Sequence, residues 1–179
     1  MGRDLIRVMI VLMAGLPGTG KSALARELAA RTSGRVIGKD EIRHALFTTE
    51  EIEYSSRQDD FCLQIMLETA AYLLQRHPNL IVFLDGRTFS RRYQIDNVLR
   101  MAEELRQSWR ILECVCPEEV VRQRLQRAES EKTHPAGNRD YALYLEVKSR
   151  FEALDLPKKV IDTSQSMESS VEQGLAALR

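Results

Sequence analysis

Sulfur chemistry has little to work with in this 179-residue chain, whose three cysteines are Cys62, Cys114 and Cys116. They are too few and too irregularly spaced for a disulfide framework or a zinc knuckle. They read as small buried hydrophobes in a reducing compartment, with Cys114 and Cys116 on one face of a strand. Net charge is also missing, because 26 basic residues meet 26 acidic ones. No overall field draws the chain toward nucleic acid or an anionic membrane, so any anion site must be local. A basic track interleaved with aromatics is absent as well, which argues against long nucleic acid as a partner. No apolar run is long enough to span a membrane. Arg3 and Arg7 followed by "VMIVLMAGL" imitate a signal peptide, but the run passes into GTGKS without a small-residue cleavage site. Ile6 stands where a myristoylation signal wants Ser or Thr. The expectation is a cytoplasmic protein with a single domain over 1–179, without repeats, low-complexity tracts or an interdomain linker.

What is present is an alternation of strand-length apolar runs with helical patterns. The runs are 6–14, 35–39, 80–85, 109–115 and 158–162, apolar on both faces as a buried parallel sheet requires. Amphipathic patterns cover 20–31, 55–77, 91–107, 117–129, 140–153 and 167–178. This order predicts an α/β layered fold. Residues 128–141, "AESEKTHPAGNRDY", are polar, carry Pro135 and Gly137 and lack apolar periodicity, so they read as a mobile excursion from the domain.

The most specific motif is "GLPGTGKS", Gly15 to Ser22, which fits G-x-x-x-x-G-K-[ST] between a buried strand and a helix. Glycines let the backbone curl until successive N–H groups face a polyphosphate, and the helix N-terminus adds partial positive charge. The expected nucleotide ligands are Gly15, Pro17, Gly18, Thr19, Gly20, Lys21, Ser22 and Ala23. Among them Lys21 supplies a full charge to the β and γ phosphates, and Ser22 offers its hydroxyl to Mg²⁺. The motif implies nucleoside triphosphate binding without saying what becomes of the γ-phosphate.

Two carboxylates follow strands. Asp85 ends "LIVFLD" and is the second candidate for Mg²⁺. Asp40 follows "VIGK", at the sheet edge that carries the cradle, where a kinase needs a group to orient an acceptor hydroxyl and take its proton. Arg43 shares its helical face and could bind the acceptor, whereas His44 reads as packed or solvated. Arg124 and Arg127, before the excursion, suit ATP phosphates or adenine. Arg87, Arg91 and Arg92 suit the acceptor, and His134 and Arg139 sit within the excursion, which could close as a lid.

These positions together resemble the P-loop kinase families labelled AAA-family ATPase or zeta-toxin-like, which include chloramphenicol phosphotransferase and the kinase domain of polynucleotide kinase. The cradle, "KDEIR", "FLDGRTFSRRYQ", "CVCPEEVVRQRLQR", "HPAGNRDYALYLEVKSRFE" and "VIDTS" occur in that family's order. The resemblance implies a three-layer αβα fold with a five-stranded parallel sheet in order 2-3-1-4-5, and a lid after the fourth strand. It also implies ATP-dependent, Mg²⁺-assisted phosphorylation of a hydroxyl on a small molecule or nucleotide-type acceptor, with Lys21, Arg124 and Arg127 at the phosphates and Asp40 as base. Asp162, Thr163 and Ser164 of "VIDTS" would line the adenine pocket. A nucleotide-dependent switch or ATPase acting on a protein partner is the alternative. It is weakened by the lack of an N-K-x-D guanine signature and of the helical extension of a ring-forming motor. Within the kinases, a polynucleotide 5′-hydroxyl kinase and a nucleotide-sugar kinase of the zeta-toxin kind remain open.

Overall fold

A computed structural model describes residues 10–86, 89, 92–131, 140–152 and 155–179. Its central strand, β1 (Ile10–Ala14), is buried at every residue, as a strand covered on both faces must be. Around it lie α1 (Lys21–Thr32), β2 (Arg35–Gly38), α2 (Lys39–Leu46), a 3₁₀ turn (Thr49–Glu51), α3 (Ser56–Arg76) and β3 (Val82–Asp85). They are followed by α4 (Arg92–Glu104), β4 (Trp109–Val115), α5 (Glu118–Glu131), α6 (Tyr141–Ser149), β5 (Lys159–Asp162) and α7 (Met167–Ala177). All four strand pairings are parallel and the order is β2-β3-β1-β4-β5, the topology the resemblance implied.

Strand alternation sorts the core into two layers. Ile10, Leu12 and Ala14 face a cluster built with Leu63, Met66 and Ala70 of α3 and Ile95 and Val98 of α4. Val11 and Met13 face Leu24 and Leu28 of α1 and Val171 of α7. At about 1.5–3 kcal/mol for each large apolar side chain removed from water, these two layers dominate the stabilisation. The helix caps add on the order of 1 kcal/mol apiece: Ser55 accepts from the Gln58 N–H, Asp140 from Leu143 and Ser166 from Ser169. Gly174 lets α7 lie directly on α1, since a Cβ there would meet Leu28 Cδ2 at 2.8 Å.

The strand expected over 6–14 is seen from Ile10 onward, residues 6–9 being outside the described set. The expected fourth strand, 109–115, coincides with β4, so Cys116 lies one residue past the strand it was expected to share with Cys114. Residues 128–131, expected to belong to the excursion, continue α5, and Tyr141 belongs to α6. The rest of that segment, 132–139, including His134 and Arg139, is outside the described residues. No helix among the described residues is long and apolar enough to cross a membrane.

Candidate active site

Parallel pairing aligns the strand ends that carry the site. β1 runs beside β3 with Leu12 opposite Leu84, and β3 beside β2 with Gly38 opposite Asp85. The cradle leaving β1, Asp85 ending β3 and Asp40 opening α2 therefore emerge along one carboxyl edge of the sheet, where open α/β sheets bind ligands.

The cradle turns through three glycines with positive φ, Gly15 at 127°, Gly18 at 78° and Gly20 at 85°. Gly15 is the most constrained, because a Cβ there would stand closer than 3.0 Å to the Cys114 carbonyl oxygen of β4. Thr19 Oγ1 donates to Leu16 O at 2.8 Å and Lys21 Nζ to the same oxygen at 2.7 Å, so the loop holds its curl around its own lysine. Lys21 opens α1, so the N–H groups of Lys21, Ser22 and Ala23 belong to its first turn, at the positive end of the helix dipole. The loop apex rests on α5: a Cβ on Gly18 would touch Val121 and Leu125.

A second set of contacts ties the cradle to the strand that follows α6. Thr163, directly after β5, donates from Oγ1 to Thr19 O at 2.7 Å and from its N–H to Val115 O at 2.8 Å. Arg124 of α5 donates through Nη2 to Thr163 O at 2.6 Å and through Nη1 to Thr163 Oγ1 at 3.2 Å, with Cys116 Sγ 3.7 Å away. Gly20, Leu24, Arg124, Thr163, Gln165, Met167 and Ser170 line a cavity of about 190 Å³ on this flank. Asp162 accepts from the Ser164 N–H at 2.9 Å, and the bonds from Ser164 hold its carboxyl below the usual range. Arg127 lies on the exposed face of α5.

On the other flank, Gly15, Leu16, Glu113, Cys116, Tyr144 and Phe151 are among the residues lining a cavity of about 360 Å³. That size falls in the range of small-molecule pockets. Cys114, buried between these features, has its thiol pushed up to about 11 by burial, against the pull of Lys21. It is inert at neutral pH, in keeping with the packing role expected of it.

The carboxylates have distinct surroundings. Asp85 is 3 % exposed and its Oδ1 has no hydrogen-bond partner among the described residues. An orphaned carboxylate oxygen in so buried a place costs free energy unless something fills it. Gly86, at φ 88°, follows; a Cβ there would stand 3.0 Å from the Lys39 N and 3.4 Å from the Asp40 N, so β3 abuts the start of α2. Asp40 is 7 % exposed; its Oδ1 accepts from Arg43 Nη1 at 3.0 Å, and its backbone carbonyl accepts from His44 Nδ1 at 2.8 Å.

Arg43 is 1 % exposed, with Nη2 paired to Asp59 of α3 and its guanidinium 5.1 Å from the centre of the Tyr54 ring. Sequence reasoning placed Arg43 against the acceptor. The structure places it within the protein, holding Asp40 on one side and Asp59 on the other. Lys39 and Asp59 were missed altogether, although Lys39 Nζ donates to Asp59 Oδ1 at 2.6 Å. Arg92 pairs with Asp96 at 2.7 Å along the exposed face of α4, and its N–H donates to Glu152 at 3.0 Å. Arg87 and Arg91 lie outside the described residues.

The family profile of the AAA domain matches residues 10–154. The chain belongs to this family. Comparison with curated proteins finds no match by sequence. Among solved structures, this AAA-domain chain is similar to a candidate kinase from Chloroflexus aurantiacus J-10-fl, at 21 % identity, TM-score 0.72 and coverage of 97 % of this chain and 100 % of that one. It is similar to a gluconokinase from Sinorhizobium meliloti 1021, at 17 % identity, TM-score 0.67 and coverage of 97 % and 92 %. A third is the Mycobacterium tuberculosis APS kinase CysC solved with AMPPNP and APS, at 16 % identity, TM-score 0.70 and coverage of 96 % and 98 %. At these identities the likeness establishes the fold, which this AAA-domain protein shares with P-loop kinases.

Proposed function

We propose that the protein is an ATP-dependent kinase that transfers the γ-phosphoryl group to a hydroxyl of a small-molecule or nucleotide-type acceptor. The observation that carries this reading is the buried Asp40 carboxylate at the same sheet edge as the cradle, held through one oxygen by Arg43. A motor or switch ATPase has to orient water alone, whereas a kinase needs a carboxylate that meets the acceptor. The neighbours named as gluconokinase and APS kinase share the fold and support the same choice.

In this reading Lys21 leaves the Leu16 carbonyl and exchanges that hydrogen bond for the β and γ phosphate oxygens. The N–H groups of Gly18, Thr19, Gly20, Lys21, Ser22 and Ala23 turn toward the polyphosphate, with Gly15 and Pro17 shaping the bend. Arg124 and Thr163, with Asp162 beside them, form the wall on the nucleoside side, and Arg127 reaches the phosphates from the same helix. The acceptor enters between Asp40 and the segment that carries Arg87, Arg91 and Arg92. Asp40 orients its hydroxyl and receives the proton as the phosphoryl group is transferred.

Magnesium fits the residues present. Asp85 has the buried, unpartnered oxygen that a hard cation or its water would satisfy, and Ser22 supplies the hydroxyl. Bound with ATP, the ion would neutralise charge on the phosphates. Asp85→Asn should raise the Mg²⁺ concentration needed for half-maximal turnover by tenfold or more, without loss of thermal stability, because the orphaned anion is removed at the same time. An unchanged Mg²⁺ titration would exclude Asp85 from the metal site.

The test of the function is a phosphotransfer screen with γ-labelled ATP and Mg²⁺ over nucleosides, oligonucleotides, sugars, aminoglycosides and nucleotide sugars. Label on an acceptor, lost in Asp40→Asn, is the expected result. ATPase activity that needs a protein partner and labels no acceptor would favour the switch.

A further inference from the structure

Three ionisable side chains converge beside the proposed base. Lys39 and Arg43 come from α2 with Asp40, and Asp59 comes from the first turn of α3. Lys39 Nζ stands 2.6 Å from Asp59 Oδ1 but 3.7 Å from Asp40 Oδ1, so the lysine belongs to Asp59. Arg43 divides its two arms, Nη1 to Asp40 and Nη2 to Asp59, and its Nε is buried without a partner among the described residues. Tyr54, itself at φ 50°, covers the guanidinium. Asp40 Oδ2, by contrast, takes part in no hydrogen bond among the described residues, and the Asp40 side chain keeps 10 % of its surface exposed.

An isolated arginine beside an aspartate closes on it with both arms, the fork-to-fork geometry that guanidinium and carboxylate favour. Such a clamp would occupy both oxygens of Asp40 and bring the lysine onto it as well. A carboxylate so held is a poor hydrogen-bond acceptor for a substrate and a weak base. We propose, building on the kinase reading, that Asp59 is a positioning residue for the base: it draws off Lys39 and one arm of Arg43, leaving Asp40 anchored through Oδ1 and open to the acceptor through Oδ2. Arg43 is thereby spent inside the protein, so its work is to aim Asp40 rather than to bind an anionic acceptor.

The test compares wild type, D59N and D59E in the full-length chain. The carboxyl of Asp40 is titrated by carbon-13 NMR without ligand, affinity for the ATP analogue AMPPNP with Mg²⁺ is measured, and kcat is followed against pH with whichever acceptor the screen labels. The described ionisable groups around Asp40 are Lys39, Arg43 and His44 on its own helix, Asp59 and Cys62 on α3, and Asp85 on β3. Removing the Asp59 anion turns both cations toward Asp40, so its titration midpoint must fall in D59N. The acidic limb of kcat then moves to lower pH, and kcat drops at least tenfold while AMPPNP affinity holds. D59E restores both the midpoint and the rate. A purely structural pairing of α2 with α3 would lower the melting temperature of D59N and leave the Asp40 midpoint in place, and that result overturns the proposal. If D59N does not fold, Lys39→Gln examines the same contact from the other side: Asp59 then claims more of Arg43, the Asp40 midpoint rises, and a fixed midpoint is again the overturning result. Because the NMR titration needs no acceptor, it decides the role of Asp59 even if no compound is ever phosphorylated, which would defeat the kinase reading alone.

Discussion

Asp40→Asn is expected to bind Mg·ATP as the wild type does and to transfer phosphate on the order of 10²–10⁴-fold more slowly. Asparagine keeps the volume and the hydrogen bond that Arg43 Nη1 gives to Oδ1, so the fold beside α2 survives. The loss is confined to proton acceptance and the aim of the acceptor hydroxyl. The proposed nucleotide ligands of the cradle lie within residues 15–23, whereas the Asp40 side chain pairs with Arg43 and Lys39, so nucleotide affinity should be unchanged. Equilibrium binding of a fluorescent ATP analogue and single-turnover phosphotransfer separate the two effects. Turnover within a few-fold of wild type would remove Asp40 from the mechanism.

Gly15→Ala should fail at a different level, by distorting the cradle itself. Its φ of 127° is a region that L-residues avoid, at a cost of about 1–3 kcal/mol. The added Cβ would also meet the backbone oxygen of Cys114, which cannot turn aside as a side chain could. Relief would require parting β1 from β4 where Ala14 faces Glu113, and such overpacking costs roughly another 1–3 kcal/mol. Against a total stability of about 5–15 kcal/mol this is severe. The melting temperature should fall by roughly 10 °C, and ATP binding should be lost because the N–H groups no longer converge. Gly20→Ala is the control: its φ of 85° is also unfavourable, but the nearest atom to an added Cβ is Arg124 Nη1 at 3.4 Å. It should lose only the conformational part, about 1–3 kcal/mol. Equal melting temperatures for the two variants would show that contact with Cys114 is not what makes Gly15 necessary.

The buried parallel sheet and the cradle were legible because both are written in local pattern, apolar runs for a sheet covered on two faces and a motif whose spacing follows the shape of a phosphate, whereas the strand order came only with the family resemblance. The far end of α5 was misread. Ala128, Glu129 and Glu131 are good helix formers, but their polarity, read together with Pro135 and Gly137 downstream, suggested an excursion from 128 onward. Arg43 was found from its spacing to Asp40, but its pairing with Asp59 was not, because Asp59 arrives from another helix. Nothing within one helix announces an ion pair made by packing α2 against α3. The partners of Arg92 were equally hidden from the sequence: its side chain pairs with Asp96 one turn on, and its backbone N–H with Glu152 from a distant segment.

The bond from Thr163 to Thr19 bears on where the functional unit stops. The AAA-domain match ends at 154, yet the hydroxyl that braces the cradle comes from beyond it, as does Ile161, which packs against Cys114 and Val171 in the core. β5 covers β4 along Leu112 to Val115, and Arg124 is oriented by the Thr163 carbonyl. A protein trimmed to the limits of the family match would expose the edge of β4, release Arg124 and leave the nucleotide loop without its brace. The stretch from Lys159 to Ala177 is therefore as much a part of the phosphate-binding apparatus as the glycines that first drew attention to it.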